Sequence, residues 1–355
     1  MEFGVWLPVY GGWLRVAEER RRPVFTHCQD VARCAEANGF NYVYASENYL
    51  NCVYGSEHQV ADVWVYLSAI AATTSRIHLI GGLKPGFLSP FVMAHMVSSL
   101  DWVSGGRTSL NVVCGWWRQE FEHCGVELLD HDGRYRRATE YVSCLKGLWT
   151  ESPFSFKGEY YKLNEVVLAG RVLERPHPSF WISGHSDHAV ELAATEGDVL
   201  FVNGMAASEL ASFASKAKRA AAARGRKLRI AANAFVLLED TDVAARQRHE
   251  GFVASRDREL IRYFRTAMDE SGAAVWAGLA EEKMVDSNAG FDASLIGSAS
   301  TIARRLGELE RAGVDILMCQ FEDVEKELPR FAELASSSLR GGLHKEEVAR
   351  CEHDS

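Results

Sequence analysis

The chain has 355 residues, 47% hydrophobic and 25% charged, a balance that suits a globular enzyme and argues against disorder. Its formal net charge of -9 argues against nucleic acid or an anionic membrane as the main partner, because both need a basic face. The eight cysteines form no C-x-x-C pair, no apolar run is long enough to span a bilayer, and Phe3 to Leu7 reads as a first strand and not as a leader, so a cytoplasmic protein with reduced thiols is expected.

Strand-like runs alternate with helical patterns along the chain. Phe3 to Val9 is the first predicted strand, and Phe25 to Asn38 follows with apolar residues at helical spacing and Gly39 as a helix stop. Strand two is Asn41 to Ser46, with a helix from Val60 to Thr74; strand three is Arg76 to Gly82, with a helix from Pro90 to Val103. Strand four is Thr108 to Cys114, and Arg134 to Trp149 is a strongly amphipathic helix. Phe180 to Ser183 and Val199 to Asn203 are strands five and six, with helices Asp187 to Thr195 and Ala207 to Arg224. Leu228 to Leu238 is strand seven, Thr301 to Ala312 a helix, Val314 to Phe321 strand eight and Glu325 to Ser336 the closing helix.

Alternation of this kind means a parallel sheet, and eight units predict a closed (β/α)8 barrel in preference to a doubly wound open sheet. The barrel domain is expected over 1–340, with insertions at about 115–133, 151–176 and 256–296 and a charged tail at 341–355. The third insertion reads equally as a mobile lid or as a decorating pair of helices.

In a parallel barrel the working residues sit at the C-terminal strand ends. Those ends carry Tyr10 to Leu14, Ser46-Glu47-Asn48, Lys84 and its neighbours, Asn111 to Trp117, Ser183 to Ser186, and Asn203. The set is rich in glycine, amide, hydroxyl and aromatic groups, which suits a large planar cofactor better than a hydrolytic site. Nucleophile-elbow, P-loop and H-E-x-x-H motifs are absent from the sequence. His185 and His188 form an H-x-x-H, but no carboxylate or third histidine is placed to complete a metal set. His123, His131 and Asp132 could also be assembled into a metal set, but a polar loop is the simpler account, so no metal is expected. Gly184 to Asp187 joins a strand to a helix and offers either an ordinary cap or a phosphate cradle. The arginines from Arg134 to Arg137 open a helix, where cations oppose the macrodipole unless an anion meets them or Asp130, Asp132 and Glu140 do.

The segment Leu110-Asn111-Val112-Val113-Cys114-Gly115-Trp116, then Glu120, then His131-Asp132-Gly133-Arg134-Tyr135 with Glu140-Tyr141 and Leu148-Trp149, resembles the flavin-dependent monooxygenases of the luciferase-like superfamily. Leu83-Lys84-Pro85-Gly86, Ser104-Gly105-Gly106-Arg107, Gly184-His185-Ser186 and Leu295-Ile296-Gly297 extend the likeness, which is nearest to the dimethylsulfone, alkanesulfonate and pyrimidine monooxygenases. The resemblance implies reduced FMN (FMNH2) with O2 as co-substrate, a flavin peroxide, and transfer of one oxygen atom to a small sulfone, sulfonate, heterocycle or specialised-metabolite intermediate. It places the flavin ring edge at Asn111 and Glu120, and the phosphate at Arg134, Tyr135, Gly184 and Ser186. Glu47 and Asn48 fall beside the ring, where the sulfone and pyrimidine enzymes carry an apolar-basic pair. His185 is expected to move protons near neutral pH. Tyr10, Trp13, Lys84, Trp116, Trp117 and Asn203 are expected to line a substrate pocket. A separate NAD(P)H:flavin reductase and a homodimer or homotetramer are the expected partners. A deazaflavin-dependent dehydrogenase on the same barrel and a non-catalytic flavin-binding protein stay open as alternatives.

Overall fold

The computed structural model describes residues 1–16, 24–174, 176–271, 279–286 and 288–337. The tail at 341–355, and Gly272 and Gly278 of the third insertion, lie outside the described residues.

Eight parallel strands close a barrel. They are β1 (Glu2–Trp6), β2 (Tyr42–Ala45), β3 (His78–Leu83), β4 (Thr108–Val112), β7 (Ser179–Ser183), β8 (Val199–Val202), β9 (Arg229–Phe235) and β12 (Ile316–Gln320), each beside the next and β12 back beside β1. The strands are apolar on both faces because helices cover the outside and side chains fill the inside. The ring closes in register, with Val5 opposite both Val43 and Cys319. Gly82 allows one close approach: a Cβ there would lie 2.6 Å from the Glu47 backbone nitrogen. The end of β2 therefore presses directly on β3, which sets where Glu47 sits.

The outer helices are α1 (Phe25–Ala37), α2 (Val63–Ala71), α3 (Pro90–Ser104), α5 (His131–Thr150), α6 (Asp187–Glu196), α7 (Ala207–Ala222), α10 (Ala299–Arg311) and a closing helix at 324–337. Side chains cap the starts of α2, α3, α5 and α6: Asp62, Ser89, Asp130 and Ser186 each accept from a backbone N–H three residues on. Gly105 ends α3 in the left-handed conformation, at φ 72°.

Insertions occupy three places. The first holds the short helix α4 (Arg118–His123), and the second an antiparallel hairpin of β5 (Phe154–Lys157) and β6 (Lys162–Val166). The third is longer than the sequence indicates. β9 stops at Phe235, and Leu237–Leu238 (β10) leaves the barrel to pair with Ile296–Gly297 (β11). Between them lie α8 (Asp242–Ala254) and α9 (Arg258–Ser271). Among the described residues no helix is long and apolar enough to cross a membrane.

Candidate functional site

A cavity of about 380 Å³ opens at the C-terminal ends of the barrel strands. Aromatic rings form its floor: Trp6 lies 4.8 Å from Tyr44 and 5.6 Å from Phe201, and Tyr44 meets Phe201 edge-on at 5.5 Å. Phe264 and Met268 reach it from α9. The sequence holds a signal for them, since Leu260, Ile261, Phe264, Ala267 and Met268 are apolar at helical spacing and all buried.

One wall is a polar network on the loops after β2 and β3. Lys84, buried, donates to Glu120 at 2.5 Å and also to Asn48. Asn48 donates to the Tyr10 hydroxyl at 2.6 Å, and Tyr10 shares a 2.7 Å hydrogen bond with Ser46. Glu47 accepts from Trp64 Nε1 at 3.2 Å, the Tyr49 hydroxyl at 3.3 Å and the Lys84 backbone N–H at 2.9 Å. Burial nevertheless pushes the Glu47 carboxyl up to about 7, against the pull of the Lys84 charge.

The opposite wall joins the turn after β7 to the first turns of α5 and α6. Helix α5 starts at His131, capped by Asp130, so Arg134 stands one turn inside it. Arg134 is 9% exposed; its Nη1 donates to the Leu129 carbonyl at 2.8 Å, and its buried Nε has no hydrogen-bond partner among the described residues. Ser186 donates to the Tyr135 hydroxyl at 3.1 Å while capping α6. Gly184 has φ 147°, and a Cβ there would lie 2.9 Å from the Tyr135 hydroxyl oxygen.

Most of the expected site residues meet at this cavity: Glu47, Asn48, Tyr10, Lys84, Trp116, Arg134, Tyr135, Gly184, His185, Ser186 and Asn203 all line it. Four lie behind the wall. Asn111 is fully buried within the barrel, where its amide donates to the Tyr44 hydroxyl at 2.7 Å and accepts from Ser183 at 2.9 Å. It reaches across the barrel interior to Tyr44 on β2 and to Ser183 on the adjacent β7, and of these three residues Tyr44 and Ser183 line the cavity. Glu120 is fully buried behind Lys84 and also accepts from the Tyr49 N–H at 2.6 Å. Trp13 packs edge-on against Tyr10 at 5.8 Å, and Trp117 stacks beneath Trp116 at 5.7 Å.

His185 departs from its expected behaviour. Burial lowers its pKa to about 4, and its Nε2 accepts from the Asn203 N–H at 2.9 Å. The ring is therefore neutral and bound at neutral pH, and does not titrate there. His188, the other half of the H-x-x-H, turns to solvent and lies 3.3 Å from Asp132, so the two histidines serve different partners. Ser46, read as a strand-end residue, lines the cavity, whereas Tyr44 was missed because nothing local marks which residues of a buried strand face its open end. Cys52 and Asn288 were missed because they come from loops distant in sequence.

Residues 1–316 match the model of the luciferase-like monooxygenase family. The chain is 33% identical over 339 residues to the FMNH2-dependent dimethylsulfone monooxygenase of Pseudomonas putida, covering 93% of each. It is 28% identical over 357 residues to a pyrimidine monooxygenase of Cronobacter turicensis, covering 96% of this chain and 93% of that one. A crystal structure of a riboflavin lyase with modified FMN and riboflavin superposes with a TM-score of 0.80 at 18% identity, over 96% of this chain and 91% of the other, a likeness of fold.

Proposed function

The chain belongs to the luciferase-like monooxygenase family, and from that starting point we propose that it is a reduced-FMN-dependent monooxygenase placing one oxygen atom from O2 in a small organic substrate. The observation that carries this reading is Arg134: a buried guanidinium with an unpaired Nε–H, beside Tyr135, Ser186 and the start of α6, at one end of the cavity. Such a group fits an anion at a helix N-terminus, and a flavin phosphate has that chemistry. The side-chain-free Gly184 leaves room for it. When bound, reduced FMN supplies the electrons that activate O2.

The chain's own groups then have separable tasks. Trp6, Tyr44 and Phe201 offer an apolar floor for a planar ring and exclude water. Asn111 is a positioning residue that fixes Tyr44 and Ser183 from below. His185 holds the Asn203 backbone as a neutral acceptor. Lys84 is committed to Glu120 and Asn48, so it does not stand free as a clamp for a sulfonate. A neutral polar substrate, such as a sulfone or a heterocyclic amide, suits this wall better. The reduced coenzyme comes from a separate NAD(P)H:flavin reductase. The deazaflavin alternative has less support, because the relative sharing a third of its residues is named for FMNH2.

Anaerobic titration with photoreduced FMN tests the reading. Wild-type protein is expected to bind it, and Arg134→Ala to bind at least about tenfold more weakly, the loss expected for one charge-assisted hydrogen bond. A wild-type chain with no affinity, or a variant that binds as tightly, overturns the proposal.

A further inference from the structure

Three polar side chains come together at the rim of the cavity without belonging to the network above. His131 and Asp132 are the first two residues of α5, and His188 is the second residue of α6. Fifty-odd residues of chain separate them, so the sequence gives no sign of the grouping. Asp132 Oδ1 lies 3.5 Å from His131 Nδ1 and 3.3 Å from His188 Nε2, and the three atoms all fall within 4.8 Å of one another.

We propose that His131, Asp132 and His188 form a binding site for a first-row divalent metal ion of the zinc type, bridging the starts of α5 and α6. Zinc bonds to imidazole nitrogen and carboxylate oxygen are about 2.0–2.2 Å long, so neighbouring ligands of a tetrahedral ion stand roughly 3.3 Å apart. Two of the three edges of such a site are already at that spacing. Two imidazoles and one carboxylate are ligands that zinc, nickel and copper accept and that magnesium and calcium do not favour. All three side chains are about half exposed, so an ion reaches them without any opening of the fold.

Three protein ligands leave a fourth position for water or an anion. His131 also lines the cavity, so that position lies at its Arg134 end. The positive ends of two helices work against a cation here. The Asp132 charge and the capping Asp130 offset this. The site is therefore expected to be moderate in affinity and rim-like, and not a buried structural centre. Without an ion, the same three groups form a pair of histidine–aspartate contacts, and metal uptake separates the two descriptions.

The test uses the full chain, stripped with a chelator and desalted, with zinc in calorimetry and cobalt(II) in absorption spectroscopy. Wild-type protein is expected to take up one zinc per chain at micromolar affinity, about -8 kcal/mol. The cobalt spectrum should lack a thiolate charge-transfer band, which excludes the free cysteines as ligands. His188→Ala and Asp132→Asn should each weaken uptake at least about tenfold with unchanged melting temperature. Wild-type uptake no tighter than about millimolar overturns the proposal, and so does stoichiometric uptake that His188→Ala leaves unchanged.

Discussion

Glu47 receives three hydrogen bonds from donors and feels the Lys84 charge, yet its burial outweighs them and its carboxyl titrates at about 7 instead of 4.5. A carboxyl whose folded pKa is raised takes up a proton on folding. Its contribution to stability is thus full below 4.5 and is lost as pH rises through 7. The span corresponds to something on the order of 3 kcal/mol. Glu47→Gln removes the titration, at a pH-independent cost from the amide facing the Lys84 N–H. Chemical denaturation at pH 5 and pH 8 should therefore show the variant gaining on wild type by up to about 3 kcal/mol at the higher pH. An equal difference at both values would show that Glu47 is ionised throughout. The same residue shows what a sequence reveals at this scale. Glu47, Asn48 and Lys84 are legible as strand-end groups, because a parallel barrel places all such ends on one face. Their partners are not legible. Whether Asn111 points into the cavity or across the barrel interior depends on strand register, and the neutral state of His185 depends on burial that no neighbouring residue encodes.

Between β7 and α6 the chain must turn within three residues and still begin a helix, and the turn works because residue 184 lacks a side chain. At φ 147° an alanine is strained, and its Cβ would lie 2.8 Å from Ala189 Cβ and 2.9 Å from the Tyr135 hydroxyl. Gly184→Ala should therefore move the Ser186 cap away from Tyr135 and Arg134. Reduced-FMN affinity is expected to fall by at least about tenfold, with a stability loss of only about 1–3 kcal/mol. Unchanged affinity in the same anaerobic titration would separate this turn from the coenzyme. The barrel strands and their following helices were legible as elements because apolar runs alternate with helical apolar spacing, and α2, α3, α5 and α6 also open on a capping side chain. Helix α8 was not, since Ala245 is the buried residue on its thirteen-residue length and no apolar stripe exists to be read. Helix α9 has a clear stripe, but it follows the charged run Arg256-Asp257-Arg258-Glu259, which reads equally as loop.

The molecule is a closed ring plus one long excursion, and the two carry different amounts of sequence information. The ring follows from strand–helix alternation. The excursion from β10 to β11 is held by contacts between segments hundreds of residues apart, which no local pattern announces. Arg15 is the main tie. Fully buried, it donates to the carbonyls of Met284 and Asp286 at 3.0 Å and of Cys52 at 3.4 Å, and its guanidinium lies 3.6 Å from the Phe264 ring centroid. Its backbone also pairs with Val285 and Asp257. The tie therefore joins the loops after β1 and β2 to the segment that carries Phe264 over the cavity. Burial lowers the Arg15 pKa only to about 10, so its charge persists at neutral pH. Arg15→Met keeps much of the packing on Phe264 but leaves three carbonyls without their donor, at a cost of about 1–3 kcal/mol for each buried acceptor left unsatisfied. Because the barrel ladder does not run through Arg15, the loss should be local. Limited proteolysis is expected to cut α9 (Arg258–Ser271) at least about tenfold faster, while amide exchange at β1 and β12 stays slow. Uniform acceleration across the barrel would instead mean that the excursion and the ring unfold as one unit.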